Sequence, residues 1–327
     1  MRLFQSDPDI RITGTEIYLD PAEPRKIGII SHGHADHIGR HEHFIATAPT
    51  AAFLRARSGD DLKGTELAYH TKHTVDGWTV ELFPAGHVLG SAMIRVSNAT
   101  HALAYTGDFR LNPSYTAEPA EVPEADAVIM ESTYGGKPDW VFPSREELRE
   151  RLIALVRQIV ARDRTPVLLA YSLGKAQETA AMLRDSGVPL VMHPVVARIS
   201  AIYERNGIDL GAYEVWGRQS SLFGHRFTAD LRGKAILVPP HMTRDIRRIP
   251  RSETIALTGW ALHGTRDADH GLPLSDHADF NELVSFAERC RASTIYVTHG
   301  SRRFAEELRR RGIRAEFLSA KPQMRLF

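Results

Sequence analysis

Four potential metal ligands lie within six residues near the start of the chain: His32, His34, Asp36 and His37. They follow directly after the apolar residues 27–30, which are typical of a buried strand. Because strand side chains alternate with a period of two, His32 and His34 are expected on one side. Zinc binds histidine nitrogen and carboxylate oxygen, and a catalytic zinc site leaves one position open for water. The spacing therefore favours a catalytic metal site over a solvated polar turn.

Further apolar runs in the first third of the chain also end in a histidine or a carboxylate. The residues at or just beyond these ends are Asp20, His87, Asp108 and Glu131. In layered α/β folds, sites are built at the carboxyl ends of strands. We therefore expect several of these side chains to meet at one site, with Asp20 as a turn aspartate in the alternative interpretation.

The secondary-structure pattern of the sequence indicates which elements position these strand ends, and it differs between two parts of the chain. The first third reads mainly as strands and turns, whereas from residue 143 apolar strands alternate with amphipathic helices. Such alternation predicts a parallel sheet with helices on its faces. After residue 260 the first pattern returns with Ser-Asp-His-Ala-Asp at 275–279 and a strand that ends at His299. The middle region is thus predicted to be a second α/β unit.

Composition restricts the class of protein. The chain has 327 residues, of which 25% are charged and 43% hydrophobic, and its net charge is +1. Overall charge therefore does not mark a nucleic-acid binder. Cys290 is the only cysteine, which excludes an internal disulfide and is compatible with a reducing cytoplasm. The sequence shows neither a signal peptide's apolar region nor a run of membrane-spanning length, so we expect a cytoplasmic protein with no membrane partner.

The motifs resemble a known superfamily. The stretch HGHADH at 32–37, the isolated histidine in AGHVLGS at 85–91 and the Gly-Asp that ends at Asp108 are similar to the metallo-β-lactamase superfamily. Four more motifs resemble its β-CASP branch, the nucleases of RNA and DNA processing. These are ESTYG at 131–135, SLGKAQE at 172–178, LSDHAD at 274–279 and VTHG at 297–300. The residues of the motifs at 172–178 and 274–279 most resemble those of the bacterial exonucleases associated with DNA ligase and of archaeal messenger-RNA 3′-end-processing-like proteins.

The resemblance implies a fold and a domain organisation. The expected fold is α/β, a four-layer αββα metallo-β-lactamase sandwich with an inserted α/β β-CASP domain. The sandwich would comprise residues 1–135 and 273–327, and the inserted domain residues 136–272.

The resemblance also implies two divalent metal ions, zinc or alternatively manganese. One would be bound by His32, His34 and His87, the other by Asp36, His37 and His299. Asp108 would bridge the two ions, and Asp20 would orient a ligand without binding metal. Two such ions clamp the attacking and leaving oxygens of a phosphodiester.

The candidate catalytic residues are Asp36, His277 and Glu131. By the resemblance, His277 protonates the leaving oxygen and Glu131 orients its ring, which is sensible because a sugar alkoxide leaves poorly without a proton donor. Three basic residues, Lys175, Arg247 and Arg248, are candidate substrate contacts. For the arginines, a solvated surface is the open alternative.

The function expected from these features is a metal-dependent nuclease, in particular a DNA exonuclease in DNA repair. A functional link to a DNA ligase and a helicase is expected with it. RNA processing is the alternative within the same chemistry, and His299 favours it because many DNA-specific members of the branch carry an apolar residue there. A small-molecule thioester hydrolase and a non-catalytic nucleic-acid scaffold are the less favoured classes.

Overall fold

The computed structural model describes residues 3–6, 9–35, 39–217, 226–228 and 230–318. The strands are β1 (Phe4–Ser6), β2 (Ile10–Ile12), β3 (Ile17–Leu19), β4 (Ile27–Ile29), β5 (His43–Ala46), β6 (Gly64–Glu66), β7 (His73–Val75), β8 (Trp78–Pro84), β9 (Ala92–Ser97), β10 (Ala102–Tyr105), β11 (Ala127–Ser132), β12 (Thr165–Leu169), β13 (Leu190–Met192), β14 (Tyr213–Trp216), β15 (Arg226–Thr228), β16 (Ala235–Val238), β17 (Ser252–Leu257), β18 (His270–Leu272), β19 (Thr294–Gly300) and β20 (Ala315–Phe317). The helices are α1 (Ala48–Ser58), α2 (Arg145–Ala161), α3 (Lys175–Leu183), α4 (Pro194–Arg205), α5 (Thr243–Ile246), α6 (Phe280–Arg289) and α7 (Arg302–Arg310), and a 3₁₀ helix spans Gly259–His263.

The chain divides into two compact units. The first comprises Met1–Val141 and His277–Leu326, and the second comprises Phe142–Asp276. These limits differ by a few residues from the predicted domain boundaries, and the assignment of the second unit as an inserted β-CASP domain stays a prediction.

The first unit contains two sheets. One has the order β1-β2-β3-β4-β5-β6, and the other has the order β20-β19-β11-β10-β9-β8-β7. Strand β11 pairs in parallel with β10 on one side and with β19 on the other, although the two neighbours lie far apart in the sequence. This pairing brings the carboxyl ends of β10, β11 and β19 to one edge of the sheet.

Side chains from both sheets fill the space between them. Buried residues of the first sheet, such as Leu19 and Ile29, belong to one apolar cluster with Ile94 and Ile129 of the second sheet. A side chain of this size stabilises the fold by about 1.5–3 kcal/mol when it is fully buried. The two sheets therefore pack face to face.

Helices cover the outer face of each sheet. Leu54 of α1 clusters with Phe44 of β5, and Leu283 of α6 belongs to a cluster with Met130 of β11. Residues 128 and 130 of β11 face α6, and Ile129 faces the other sheet, as strand alternation requires. The layers thus follow the order helix, sheet, sheet, helix, and the predicted α/β sandwich is confirmed.

The second unit is a parallel sheet with the order β15-β14-β13-β16-β12-β17-β18. Helix α2 begins after Ser144, whose side chain accepts a hydrogen bond from the Glu147 backbone N–H. Leu148, Leu152 and Val156 then bury one face of that helix. The predicted alternation of strands and helices is confirmed in this region. Within the described part of the chain, no helix combines the length and the apolar character needed to cross a membrane.

Candidate metal centre

Four ligand-type side chains converge in the first unit. The candidate ligand atoms of His32, His34, His87 and Asp108 all lie within 4.8 Å of one another. His87 Nε2 is 3.0 Å from His34 Nδ1. Asp108 Oδ2 is 3.5 Å from His32 Nε2 and 3.9 Å from His87 Nε2. The structure thus brings together the three histidines and the aspartate that the sequence predicts as ligands.

These separations fit a tetrahedral divalent ion. Zinc binds histidine nitrogen at about 2.0–2.1 Å, so neighbouring ligand atoms of a tetrahedron lie about 3.3–3.4 Å apart. The separations of 3.0, 3.5 and 3.9 Å bracket that value. Imidazole nitrogen and carboxylate oxygen are also ligands that zinc prefers. The cluster therefore has the geometry and the donor atoms of a divalent metal site.

Each ligand lies at or just beyond the end of a strand. His32 and His34 follow β4, His87 lies in the turn between β8 and β9, and Asp108 follows β10. Gly107 allows the close approach, because a Cβ atom there would lie 2.5 Å from the Ser31 hydroxyl oxygen. Its φ of +53° is also a conformation that side chains disfavour. A glycine is thus required where the Asp108 loop passes the His32 loop.

Ser31 and Asp20 hold the ring of His32. Ser31 donates its backbone N–H to Asp20 Oδ1 at 2.7 Å and its hydroxyl to Asp20 Oδ2 at 2.5 Å. The same hydroxyl oxygen lies 2.9 Å from His32 Nδ1. Because the hydroxyl proton points to Asp20, Ser31 accepts the Nδ1 proton of His32, and Nε2 keeps its lone pair for a metal ion. Asp20 thus reaches a candidate ligand through Ser31, and its orienting role stays a prediction.

The turn that carries His87 is fixed by side chains on both sides. The Ser91 hydroxyl accepts the backbone N–H of His87 at 3.1 Å. The Gly90 carbonyl accepts the Thr47 hydroxyl at 2.6 Å, and the Gly90 N–H donates to Glu118 at 3.0 Å. Burial raises the pKa of the Glu118 carboxyl, although the Gly90 N–H opposes this. These contacts restrict the position of the His87 ring before any ion binds.

Glu131 accepts hydrogen bonds from His277, Phe109 and Thr133 beside the cluster. His277 Nδ1 lies 3.0 Å from Glu131 Oε1, which also accepts the Phe109 backbone N–H at 3.3 Å. The Thr133 backbone N–H donates to the other oxygen at 2.9 Å. Burial by itself raises the pKa of Glu131, but the charge and hydrogen bond of His277, together with Thr133, outweigh it and lower the pKa. Glu131 is therefore an ionised carboxylate, and Nδ1 of His277 carries a proton.

His277 has its second nitrogen towards the cluster. Nε2 lies 3.9 Å from Asp108 Oδ2, and Asp108, Glu131 and His277 themselves form a compact ligand-type group. With Nδ1 held by a carboxylate, the ring can carry a proton on Nε2 and direct it towards the cluster. The arrangement thus places a candidate proton donor next to a candidate metal site.

Two contacts tie the segment after Asp108 to the start of α6. The Ala278 N–H donates to the Phe109 carbonyl at 2.7 Å. The Asn112 N–H donates to Glu282 Oε1 at 2.5 Å. Glu282 therefore serves both the helix capping box and the Asp108 loop. The capping box is visible in the sequence as Asp-x-x-Glu at 279–282, but its contact with Asn112 has no sequence signal.

The predicted ligands of the second metal ion are Asp36, His37 and His299. Asp36 and His37 lie outside the described residues. His299 lies near the end of β19 with a φ of +50°, and its carbonyl is 3.5 Å from the Thr133 hydroxyl. Among the described residues, His299 belongs to none of the groups that could hold an ion. The second metal site therefore stays a prediction.

The predicted substrate contacts lie in the second unit. The Lys175 ammonium is buried and lies 2.5 Å from Asp276 Oδ1, so a phosphate would have to replace that carboxylate. Arg247 and Arg248 are exposed, and Arg248 lies 3.6 Å from Asp245. Substrate binding by these three residues stays a prediction.

Comparison with known proteins agrees with the metal site. The family described as the Zn-dependent metallo-hydrolase RNA specificity domain (RMMBL) matches residues 270–317. The chain is 35% identical over 320 residues to a "Probable DNA ligase" of Opitutus terrae, a match that covers 94% of this chain and 30% of that protein. It is 24% identical over 347 residues to an "RNase J-like protein" of Methanocaldococcus jannaschii, with 84% of this chain and 81% of that protein covered.

A solved structure also matches the fold. It is the crystal structure of a protein of unknown function from Enterococcus faecalis V583, with a TM-score of 0.64 and 16% sequence identity. The match covers 91% of this chain and 80% of that one. The fold and the ligand cluster agree with the match to a family of Zn-dependent metallo-hydrolases. More narrowly, these matches agree with the resemblance of the sequence motifs to the β-CASP branch of the metallo-β-lactamase superfamily.

Proposed function

We propose that this protein hydrolyses the phosphodiester backbone of nucleic acid, most specifically as a DNA exonuclease in DNA repair. The observation that carries the proposal is the position of His277. Its Nδ1 is held by Glu131, while its Nε2 lies 3.9 Å from Asp108 of the ligand cluster. A phosphodiester needs a proton donor at this place, because a sugar alkoxide is a poor leaving group. A thioester does not, which argues against a small-molecule thioester hydrolase.

The site would hold divalent metal ions, which supply an activated water and neutralise charge on the phosphate. We assign two zinc ions, with manganese as the alternative. His32, His34 and His87 would bind the first ion, and Asp108 would contact both. Asp36, His37 and His299 would complete the second site. The four-residue cluster and the match to a Zn-dependent metallo-hydrolase family support the assignment.

The other residues of the site act on position and protonation. Glu131 would keep the His277 ring in one orientation and stabilise its charged form, so that the Nε2 proton can pass to the leaving sugar oxygen. Asp20 and Ser31 would keep His32 in the tautomer that binds metal through Nε2. This division of labour accounts for the contact of Glu131 with His277 and for those of Ser31 with Asp20 and His32.

The preference for DNA rests on the relative of Opitutus terrae, whose name is "Probable DNA ligase" and whose match covers 94% of this chain. A nuclease of this kind would act with a DNA ligase, and with a helicase that exposes strand ends. An RNA-processing enzyme is the second candidate. It is favoured by the "RNA specificity domain" match at residues 270–317, which contain His277 and His299, and by the RNase J-like relative.

The test is digestion of 5′- and 3′-labelled DNA and RNA of the same sequence by the metal-loaded protein. Shortening of labelled DNA from one end supports a DNA exonuclease and gives its polarity. Faster cleavage of RNA would replace the first candidate by the second. Asp108→Ala, prepared in the same way, is the control for a contaminating nuclease. Cleavage of neither polymer, combined with rapid hydrolysis of a thioester, would overturn the nuclease assignment.

A further inference from the structure

The second unit contains a cavity of about 550 Å³, and one of its lining residues, Arg248, is also a predicted substrate contact. It lies at the carboxyl edge of the parallel sheet, where α/β folds bind ligands. Its volume lies within the range of about 300–1,000 Å³ that is usual for small-molecule sites. The polar and aromatic residues that line it are His193, Trp216, Asp230, Arg232, Asp245 and Arg248.

Two aromatic rings form part of the wall. Trp216 ends β14, and His193 follows β13; their ring centroids lie 6.1 Å apart with an interplanar angle of 80°. Trp216 is half-buried and packs against the apolar cluster around Val238, which leaves part of the indole facing the cavity. A fixed and partly exposed indole is a surface on which a flat ring can stack.

His193 is held as a neutral ring. Its Nδ1 accepts the Val195 backbone N–H at 3.3 Å at the start of α4, so the proton is on Nε2, which lies 3.5 Å from Asp245 Oδ2. Burial lowers the pKa of His193, although Asp245 opposes this. The Nε2 proton of His193 is thus directed at Asp245, and the ring adds no charge to the wall.

The charged residues of the wall balance each other. Arg232 lies 3.3 Å from Asp230, and Arg248 lies 3.6 Å from Asp245. Both separations exceed the roughly 2.7–2.9 Å of a strong charge-assisted hydrogen bond, and both guanidinium groups are exposed. A bare anion gains little from two arginines that two aspartates neutralise. A ligand with both an anionic group and separate N–H donors can bind the two arginines through the anion and the two aspartates through the N–H groups.

We propose that this cavity binds a nucleotide. The base would stack on Trp216 and donate N–H groups to Asp245 or Asp230, while the phosphate would accept from Arg248 and Arg232. Carboxylates accept from base amino groups, and arginine binds phosphate through paired N–H groups. The nucleotide is either a free mononucleotide or one unit of a nucleic-acid strand, and only the second source rests on the proposed function.

The experiment measures binding to the intact, metal-loaded chain by calorimetry and tryptophan fluorescence. The probes are deoxynucleoside and ribonucleoside 5′-monophosphates, the matching nucleosides, inorganic phosphate, and a 12-residue oligonucleotide with a phosphorothioate backbone. We expect saturable mononucleotide binding or oligonucleotide binding that depends on the cavity. Inorganic phosphate should bind far more weakly through these residues than a nucleotide does.

Two variants and two matched controls locate the binding. Arg248 and Arg251 are both 68% exposed, and only Arg248 lines the cavity. Arg248→Gln should raise the Kd of nucleotides about tenfold and leave nucleosides unchanged, whereas Arg251→Gln should change neither. Trp216→Leu should raise the Kd of both about tenfold, within the range known for loss of base stacking. Trp260→Leu is its control, because Trp260 is 51% exposed and lies outside the cavity lining.

The pattern of losses distinguishes the two sources. Weaker binding of mononucleotides alone indicates a free nucleotide, and weaker binding of the oligonucleotide indicates a strand. The proposal is overturned if Arg248→Gln and Trp216→Leu leave every probe unchanged, or if the controls change binding equally. Because binding is measured apart from cleavage, a chain that binds nucleotides here but cuts no nucleic acid refutes only the proposed function.

Discussion

Replacing His277 by alanine tests the proton donor at the centre of the proposed chemistry. Nε2 of this residue lies 3.9 Å from Asp108, and Nδ1 is held by Glu131. General acids contribute about 10²–10⁴-fold to a rate, which corresponds to about 2.7–5.4 kcal/mol of activation free energy. We expect His277→Ala to lose that factor on DNA or RNA. On a nitrophenyl phosphodiester, whose leaving group departs as a stable anion, it should retain most of its activity.

The variant must also be checked for stability, because it removes one partner of a fully buried carboxylate. Glu131 keeps the backbone N–H groups of Phe109 and Thr133 at 3.3 and 2.9 Å, and the Thr133 side chain as a further donor. The loss of one hydrogen bond to such a group costs about 1–3 kcal/mol of unfolding free energy. Denaturant unfolding of both proteins therefore accompanies the kinetics. Glu131→Gln should show the same pattern of activity loss to a smaller extent, because it disturbs the orientation of the His277 ring but leaves the ring in place.

The assay compares rates on a labelled oligonucleotide and on the nitrophenyl diester, with metal content measured in the same samples. Loss on the oligonucleotide alone, with metal retained, supports a proton donor. Equal loss on both substrates, with loss of metal, would make His277 a metal ligand and refute the reasoning. Equal loss of activity on both substrates with metal retained would show that His277 does not donate the proton to the leaving group.

Three further predictions concern the ligands and the surface. Asp108→Ala should abolish cleavage and lower bound metal, which elemental analysis measures; full metal content in an active variant would contradict the bridging role. Ser31→Ala removes the acceptor of the His32 Nδ1 proton and should lower metal affinity about 10- to 100-fold, measured by competition with a chelator; unchanged affinity would make that contact structural only. Charge reversal at Arg247 and Arg248 together should reduce the slope of log Kd for DNA against log salt concentration by about two. An unchanged slope would indicate that both arginines are solvated surface residues without a DNA contact.

The ligand cluster was the most predictable part of the site. His32, His34 and Asp108 each follow an apolar run, and such a run marks the end of a buried strand even in a single sequence. Parallel pairing of β10 with β11 then places Asp108 and Glu131 at one edge. The pattern could therefore indicate both the residue types and the edge at which they meet.

The supporting contacts were not predictable, because they join residues that have no fixed spacing. Asn112 meets Glu282 across 170 positions, and Lys175 meets Asp276 across 101. Each contact depends on the path of the chain between the elements, which local patterns do not encode. Lys175 illustrates the consequence. A lysine at the start of a helix resembles a phosphate contact in the sequence, yet its ammonium is buried in an ion pair with Asp276.

Glu131 connects the two halves of the proposed chemistry. One of its oxygens accepts both His277 Nδ1 and the Phe109 N–H, and Phe109 is the residue directly after Asp108. Any shift of the carboxylate therefore moves the proton donor and the loop of a metal ligand together. Because the group is fully buried, such a shift also leaves hydrogen bonds unmade at a cost of about 1–3 kcal/mol each. The distance between the proposed proton donor and the ligand cluster thus depends on the same carboxylate that holds the donor's ring.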